Sequence, residues 1–399
     1  MNATMLRAAL VLGLLSAIGP FAIDMYLPAL PAIGVDLAAN TAGVQASLMA
    51  FMAAIAVCQL FYGPISDMVG RKPPLYFGMA LFAVGAVGCA LAPSIEWLII
   101  ARFVQGVGAC AAMALPRAIV RDGYTGADAA QLQSLLMLVF SVSPILAPLT
   151  GSIIVQFGGW REIFWVIAVI GVLGIVLTAV FLKETRPKEA RLESSVGSAL
   201  RGYGMLLKDR NFIGLSMIGA FGMSSFMAYL ANSSFILIDH YGLTPTLYSV
   251  MFSINAVSFI GVSQFTGLLT RKYGLNSVVR FAVTGYVLTM LVLAAVFLLG
   301  VDRLDVLAAL LFIGYGFLGL VIPTTAVLAL DEHGAIAGTA SALMGTLQLV
   351  TAAVVMGVVG SFFDGTAKPM VIGIAVCAAL SFALTQVTLR PVVRTAAAE

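Results

Sequence analysis

Two ionisable residues, Asp24 and Arg102, lie within long apolar stretches of the sequence. A charged side chain inside a membrane is costly, and residues of this kind usually carry a function. A carboxyl group in a low-dielectric cavity favours its protonated form, so Asp24 has the chemistry to load and release a proton. Arg102 would favour the charged form if both side chains shared one cavity. The alternatives are a structural cap near Pro28 for Asp24, and a snorkelling or structural arginine for Arg102.

A second group of charges interrupts the apolar sequence at GPISDMVGRK, where Asp67, Arg71 and Lys72 fall within six positions. Gly63 and Gly70 allow a close backbone approach and a sharp connection there. One interpretation is topological, with the two basic residues holding the loop on one side of the membrane. The other is a charge latch, in which Asp67 pairs with a basic residue of this cluster and with a helix terminus of the opposite half. Such a latch stabilises one of two states without touching the substrate.

A third charged stretch, RAIVRD, places Arg117 and Arg121 four residues apart and is closed by Asp122. Residues four apart share one face of a helix. This stretch is either an ordinary basic helix end or a part of a cytoplasmic gate. The two histidines, His240 and His333, fall in loops, so neither is expected to act as a buried relay.

Composition sets the class of protein that must position these residues. Of the 399 residues 61% are hydrophobic and only 10% are charged, whereas a soluble domain carries roughly 25% charged residues. Apolar runs of about 20 residues, the length that crosses a bilayer, recur along the chain. The basic residues form no patch, so a nucleic-acid surface is not expected. We therefore predict an all-α membrane protein with many transmembrane helices.

The sequence motifs do not support an enzymatic or cofactor-dependent function. The four cysteines lie inside apolar runs and none pairs as C-x-x-C, so neither a metal site nor a disulfide framework fits. No H-x-x-x-H cluster, G-x-S-x-G elbow or Walker loop occurs. The first apolar run continues through Leu27 and indicates a retained helix rather than a cleaved signal peptide. We expect no enzyme activity, no metal and no cofactor.

Glycine, proline and charged residues interrupt the apolar runs, and the pattern predicts twelve transmembrane helices. Seventeen of the 21 Lys and Arg residues then fall in segments on one side of the membrane and three on the other. Positively charged segments remain in the cytoplasm, so both termini are expected there. The twelve predicted ranges are 6–33, 42–68, 74–93, 97–121, 130–157, 160–182, 212–239, 246–270, 276–299, 304–330, 335–362 and 368–389.

The longest polar segment divides this pattern into two groups of six helices. We predict an N-terminal bundle over 1–182, a cytoplasmic linker over 183–211 with a short surface helix, and a C-terminal bundle over 212–399. The two halves echo each other, since GPISDMVG in the first aligns with GLLTRKYG in the second. Duplicated bundles of this kind are typical of transporters, in which a site between them opens alternately to either side.

The loop motif carries a family resemblance. The spacing G-x-x-x-D-x-x-G-[RK]-[RK], filled by Gly63, Asp67, Gly70, Arg71 and Lys72, resembles the signature loop of the major facilitator superfamily. DMYLPALP at the end of helix 1, ARFVQGVGA at the start of helix 4 and SPILAPLTGS in helix 5 are similar to the bicyclomycin-resistance (Bcr/CflA) branch of drug:proton antiporters. The resemblance covers nearly the whole chain, and its specific motifs lie in the first half.

The helix-5 stretch resembles the motif of proton-driven exporters, with two departures. Pro144, Pro148 and Gly151 match it, whereas Ala147 and Ser152 stand where glycines are expected. Both replacements are small, so close helix packing should survive. In the second-half loop Arg271 and Leu275 replace the acid and the arginine of the first. The second copy is therefore not expected to form the same charge cluster.

The resemblance implies roles for particular residues. Asp24 and Arg102 would form the proton-coupling pair, with Arg102 hydrogen-bonded through Gln105 or water. With one acid and one base, the cavity would be balanced in charge and would favour neutral or zwitterionic amphipathic compounds. By analogy with the family, helices 1, 4, 7 and 10 would line this cavity through Phe21, Tyr26, Gln105, Met113, Phe226, Tyr229, Asn232 and Tyr315.

The sequence therefore predicts a proton-coupled exporter of small hydrophobic or amphipathic drugs. Its expected partners are the drug, protons and the lipid bilayer, with no nucleic acid, and it is expected to act as a monomer in the bacterial inner membrane. The runner-up is a proton-coupled uptake symporter for a nutrient, because only the resemblance of SPILAPLTGS favours export. An integral membrane enzyme and a non-transporting receptor are the more distant alternatives.

Overall fold

The computed structural model describes residues 3–186, 189, 191 and 196–389, and twelve of its helical segments are long and apolar enough to cross a membrane. This number and the all-α class confirm the prediction. The helices are α1 Ala3–Asp24, α2 Leu30–Asp36, α3 Thr41–Val69, α4 Lys72–Ala90, α5 Ile95–Gly123, α6 Gly126–Gly158, α7 Trp160–Phe181, α8 Val196–Leu206, α9 Arg210–Ser234, α10 Pro245–Ser263, α11 Thr266–Tyr273, α12 Leu275–Leu298, α13 Leu304–Asp331, α14 Ala337–Ser361 and α15 Lys368–Thr388.

The first span is interrupted, whereas the sequence predicted one helix over 6–33. α1 ends at Asp24, a short 3₁₀ turn follows over Leu27–Ala29, and α2 resumes at Leu30. Proline has no amide hydrogen, so Pro28 cannot donate to the carbonyl four residues earlier. That carbonyl belongs to Asp24. The break therefore falls at the residue singled out for chemistry.

Two further spans depart from regular α-helix. The predicted span 246–270 is divided into α10 and α11 by a turn at Gln264 and Phe265. The span that contains α9 continues as a π-helical stretch over Phe235–His240. π-helical turns inside spans often mark functional sites. The linker contains α8, which agrees with the short surface helix expected there.

The helices form two six-span bundles. In the first half α3 and α4 pack on α5, α4 also packs on α7, and α1 packs on α5 and α6. In the second half α9 packs on α14 and α15, while α13 packs on α10 and α12. The halves meet along a seam where α3 contacts α14 and α6 contacts α10. α10 therefore lies at the seam and also packs within the second half.

The connections between the spans lie on two faces of the molecule. The linker face carries the described residues of the segment 183–209 and the short connections after α3, α5, α11 and α13. The opposite face carries the connections after α2, α4, α6, the π-helical stretch, α12 and α14. Between these faces, large apolar side chains such as Phe77, Val84 and Val180 are exposed on the outside of the bundles. A surface of this kind is suited to lipid, as expected of spanning helices.

Candidate functional site

Asp24 lies at the end of α1, where the first span breaks. Its side chain is 5% exposed. Among the described residues, no hydrogen bond or ion pair joins its carboxylate to another side chain. The 3₁₀ turn that follows it, Leu27–Ala29, contacts α9 and α10 of the other half. Asp24 is thus a nearly buried carboxyl group at a helix break, unpaired among the described residues and followed by a turn that packs on the second half.

Arg102 in α5 is fully buried and is held by the first half alone. Its Nη1 donates to the Ala22 carbonyl at 3.1 Å and to Gln105 Oε1 at 2.6 Å. Its Nε and Nη2 have no acceptor among the described residues. The guanidinium carbon lies 4.2 Å from the ring centre of Phe51 and 4.7 Å from that of Tyr26. Aromatic faces attract the cation and replace part of its lost hydration.

The expected Asp24–Arg102 pair is not formed in this arrangement. Arg102 binds the backbone carbonyl of Ala22, two residues before Asp24, and no ion pair joins the two charged groups among the described residues. Arg102 does hydrogen-bond to Gln105, but Gln105 Nε2 has no partner among the described residues, so the bond does not extend to Asp24. The two charges lie at a similar depth, but they are directed to different environments.

The helix-5 motif packs directly on the break in the first span. A Cβ placed on Gly151 would lie 2.0 Å from the carbonyl oxygen of Met25, so only glycine allows this approach. Across the seam, the hydroxyl group of Ser249 donates to the Pro148 carbonyl at 2.9 Å. Pro144 lies one turn earlier in α6. The motif thus connects the backbone beside Asp24 to α10 of the second half.

Aromatic residues of α9, α10 and α13 form one cluster in the second half. The ring of Phe226 lies 5.6 Å from that of Tyr315 and 6.3 Å from that of Phe252. Tyr229 stacks on Phe252 at 5.8 Å and accepts a hydrogen bond from the Asn255 amide at 2.9 Å. The sequence had named three members of this cluster, and Phe252, Phe259 and Tyr248 extend it.

The other predicted cavity residues fall in three places. Phe21 and Met113 are half-buried, as is Phe226, and Met113 packs against Gly19 of α1. Tyr26 and Gln105 surround Arg102 rather than Asp24. Asn232 instead lies in a contact between the halves.

That contact closes the seam near the opposite face. The Gln45 amide in α3 donates to Asn232 Oδ1 at 2.9 Å and to the Ala231 carbonyl at 3.2 Å. Gln156 of α6 donates to the Thr246 hydroxyl group of α10 at 2.6 Å. The first and second halves are therefore held together on this side.

Arg71 is the centre of the charged cluster at the linker face. Its side chain is 1% exposed and its Nε lies 2.7 Å from Asp122 Oδ2. Its Nη2 lies 3.2 Å from Asp122 Oδ1 and 2.7 Å from Asp67 Oδ1. Its Nη1 donates to the Ser66 hydroxyl group at 2.6 Å. Asp122, which closes α5, is therefore the main counter-charge of Arg71.

The linker, rather than the opposite half, completes this cluster. Glu184 accepts the Arg71 amide hydrogen at 2.8 Å and the Lys72 amide hydrogen at 3.1 Å. Arg186 Nε lies 4.0 Å from Asp67 Oδ1. The expectation that Asp67 meets a helix terminus of the second half is not met among the described residues. The reason is that the linker folds back over the loop and occupies its surface.

Burial raises the pKa of Glu184, but three backbone amide hydrogens and the charge of Arg191 outweigh this effect. The pKa of Glu184 is therefore held below its ordinary value. The positive φ of Gly70, 102°, lets the chain turn sharply beneath the carboxylate. A Cβ there would lie 2.6 Å from Glu184 Oε2. Glu184 was missed by the sequence analysis, although it is an isolated acid between basic residues directly after a span.

The remaining gate candidates are less closely engaged. Lys72 Nζ donates to the Leu182 carbonyl at 2.8 Å. Arg117 and Arg121 are exposed, and Arg121 approaches Gly338 of the second half. Gly63 was expected to allow close packing, but a Cβ placed there would meet no atom within 4 Å. Its helical position simply leaves open space.

A broken first span, an unpaired buried carboxyl group and two six-span bundles joined by a polar seam define a secondary transporter. The family model of the Major Facilitator Superfamily matches residues 12–356. The chain belongs to the major facilitator superfamily, as the loop motif indicated.

Curated relatives and solved structures agree with this assignment. The chain is 39% identical to the uncharacterized MFS-type transporter YdgK of Bacillus subtilis, over 92% of this chain and 91% of that protein. It is 31% identical to the bicyclomycin resistance protein homolog of Haemophilus influenzae, over 93% of each. A crystal structure of the D-xylose-proton symporter superposes with a TM-score of 0.75 at 15% identity, covering 97% of this chain and 98% of that chain. The last match concerns the fold alone.

Proposed function

We propose that this transporter is a proton-driven exporter of small amphipathic molecules that works by alternating access. The observation that carries the proposal is the nearly buried and unpaired Asp24 at the break of the first span. An isolated carboxylate in a low-dielectric interior is unstable, so burial favours proton uptake and access to water favours release. Discontinuous helices near the middle of the membrane are a usual place for coupling ions.

Arg102 serves in this proposal as a positioning residue. It holds the Ala22 carbonyl, and hence the last turn of α1, at a fixed distance from α5. The aromatic rings around it stabilise the cation without a protein carboxylate. Asp24 can therefore gain and lose a proton without removing a counter-charge from Arg102.

The substrate site lies between Asp24 and the aromatic cluster of the second half. The cluster offers large flat apolar surfaces and extends to Tyr248, and the turn that follows Asp24 packs on α9 and α10, which carry part of the cluster. Arg102 is withdrawn into the first half and does not balance Asp24 across this site. The expected preference for neutral or zwitterionic compounds therefore shifts towards neutral and singly cationic amphipathic ones. The relatives named for bicyclomycin and multidrug resistance support export of such compounds.

The two halves, residues 1–182 and 212–399, move against each other in this proposal. The charged cluster centred on Arg71 fixes the linker to the first half and so sets the distance over which the halves can separate. All parts of the site lie in one chain, which fits a monomer. We place the linker face in the cytoplasm of a bacterial cell and the chain in its inner membrane, because the Lys and Arg residues concentrate on that face.

The test uses energised inverted membrane vesicles with a dye that reports an acidic lumen. An added lipophilic drug should discharge the gradient through the wild-type protein, because the drug enters as protons leave. Asp24→Asn should abolish this response, whereas the control Asp305→Asn, at an exposed acid paired with Arg303, should retain it.

Two results would overturn the proposal. A response of Asp24→Asn equal to wild type would remove Asp24 from coupling. A nutrient symporter carries its substrate and protons in the same direction, so drugs would leave the gradient intact for every variant. Sugars and amino acids preloaded into the vesicle lumen would then discharge the gradient as they leave together with protons, which identifies that alternative.

A further inference from the structure

The linker helix α8 lies across the seam between the two halves. The Tyr203 hydroxyl group donates to the Leu60 carbonyl of α3 at 2.9 Å. Gly202 packs on α14, where a Cβ would come within 3.1 Å of Thr339. Ala199, Gly202, Tyr203 and Leu206 follow the i, i+3, i+4, i+7 spacing of one helix face and are the less exposed residues of α8. One face of α8 is thus fixed to both halves of the protein.

The depth of this contact places α8 at the membrane boundary. α3 has 29 residues, or about 43 Å of helix, so it exceeds the roughly 30 Å hydrocarbon core by about 7 Å at each end. Leu60 lies nine residues before the end of α3 at Val69, or about 13 Å along the helix. The contact with Leu60 is therefore about 7 Å inside the hydrocarbon. Since the side chain of Tyr203 covers much of that depth, the axis of α8 lies near the headgroups.

A second apolar surface of α8 is left uncovered by the described residues of the protein. Leu200 is 57% exposed and Leu207, just after the helix, is 54% exposed. At about 100° per residue, these two leucines lie together on the flank roughly 100° around the axis from the protein-facing stripe. With the stripe against the seam, this flank is turned away from the protein and is free to enter the acyl chains.

The basic residues follow the leucines around the helix. Arg201 and Lys208 are exposed and lie roughly 100° beyond the leucine flank, on the side of α8 opposite the protein-facing stripe. No acid occurs between 196 and 208, and Asp209 is engaged by the Phe212 amide and by His333. The charge offered to the membrane is therefore positive, which is complementary to phosphate-bearing lipid of net negative charge.

We propose that residues 196–208 form an interfacial strap that binds anionic phospholipid, with Leu200 and Leu207 among the acyl chains and Arg201 and Lys208 on the phosphates. Amphipathic helices of this pattern bind membranes through buried apolar area and attraction to anionic lipid together. Because the other face of the strap contacts α3 and α14, bound lipid stabilises the arrangement in which these two helices are bridged. The lipid therefore acts on the seam between the halves. The proposal requires only that the chain spans a membrane and is independent of its cargo.

The test is a fluorescence measurement on full-length protein in vesicles. Gly204 lies between the leucine flank and the basic pair, and a Cβ there meets no atom within 4 Å. An environment-sensitive dye on Gly204→Cys, in a background with the native cysteines replaced, is quenched by nitroxide lipids labelled near the headgroup. Raising phosphatidylglycerol from none to about 30 mol% should increase quenching at least about two-fold.

Matched variants distinguish lipid binding by the strap from a general effect of surface charge. Arg201→Gln with Lys208→Gln should remove the increase, and Leu200→Ser with Leu207→Ser should lower quenching in all lipids. Arg271→Gln with Lys272→Gln removes the same charge from α11 on the same face and should leave the increase intact. Quenching that is equal in neutral and anionic vesicles, or that survives loss of Arg201 and Lys208, would overturn the proposal. A circular dichroism spectrum that matches the wild-type spectrum verifies that each variant folds.

Discussion

Replacing Asp122 by Asn should destabilise the first half more than the same change at Asp67. Arg71 is 1% exposed and meets Asp122 through two nitrogen atoms, at 2.7 and 3.2 Å. The Asp122 side chain is 11% exposed, whereas that of Asp67 is 31% exposed. The Asp122 pair is therefore screened little by water, and the Asp67 pair is screened considerably.

The size of the effect follows from this difference in burial. Breaking a buried ion pair costs about 3–5 kcal/mol because a buried charge is left uncompensated. Asp67 still faces Arg71 in Asp122→Asn, so we expect about 2–3 kcal/mol. Asp67→Asn removes a partly exposed partner and should cost about 1 kcal/mol. For a unit of roughly 180 residues, at about 3 °C per kcal/mol, these values correspond to decreases in Tm of about 6–9 °C and about 3 °C.

The assay is thermal unfolding of each purified variant in one detergent, with Asp305→Asn as an exposed control that should leave Tm unchanged. A double-mutant cycle with Arg71→Gln isolates the pairwise terms. In the Arg71→Gln background, the change at Asp122 should lose most of its cost. Equal destabilisation by the Asp67 and Asp122 variants, or a cost of Asp122→Asn that persists without Arg71, would refute the reasoning.

Two further predictions concern the contact of Gly151 with Met25 and the hydrogen bonds of Glu184. Gly151→Val should abolish transport, because its side chain would collide with the Met25 carbonyl, while Gly261→Val, at an open position, should transport normally in the same vesicle assay. Glu184 has a lowered pKa, so its stabilisation of the linker is full above the unfolded value of about 4.3 and is lost as pH falls through the folded pKa. The protection of the Arg71 amide against hydrogen exchange, measured relative to the intrinsic rate at each pH, should therefore fall at acidic pH in wild type, and in Glu184→Gln it should be low already at neutral pH. Exchange that is unaffected by Glu184→Gln would contradict this role.

The sequence was sufficient for the number of spans and the family, because both depend on local signals. Spanning runs are set by apolar length, and the loop motif places glycine where the structure has a φ of 102° at Gly70. The break in the first span was also encoded, since Pro28 removes a donor to Asp24. It was overlooked because prolines are common inside membrane helices, where neighbours satisfy the freed carbonyls.

The geometry of the site could not be read from sequence. Asp24 and Arg102 lie at similar depths, but the rotation of α1 about its axis decides which residue meets Arg102. That rotation is set by packing, including the contact of Gly151 with Met25. In the same way, the approach of Glu184 to Arg71 spans 113 residues and depends on how the linker folds back. Contacts of such long range leave no periodic pattern.

The central claim is that Asp24 exchanges its proton for cargo, and proton release on drug binding tests it most directly. Purified protein in weakly buffered detergent at neutral pH, with a pH-indicator dye, receives a saturating dose of a drug that it binds. Wild type should release protons on binding, while Asp24→Asn should bind the drug and release none. Equal release by both proteins, with binding verified separately for each, would contradict the account.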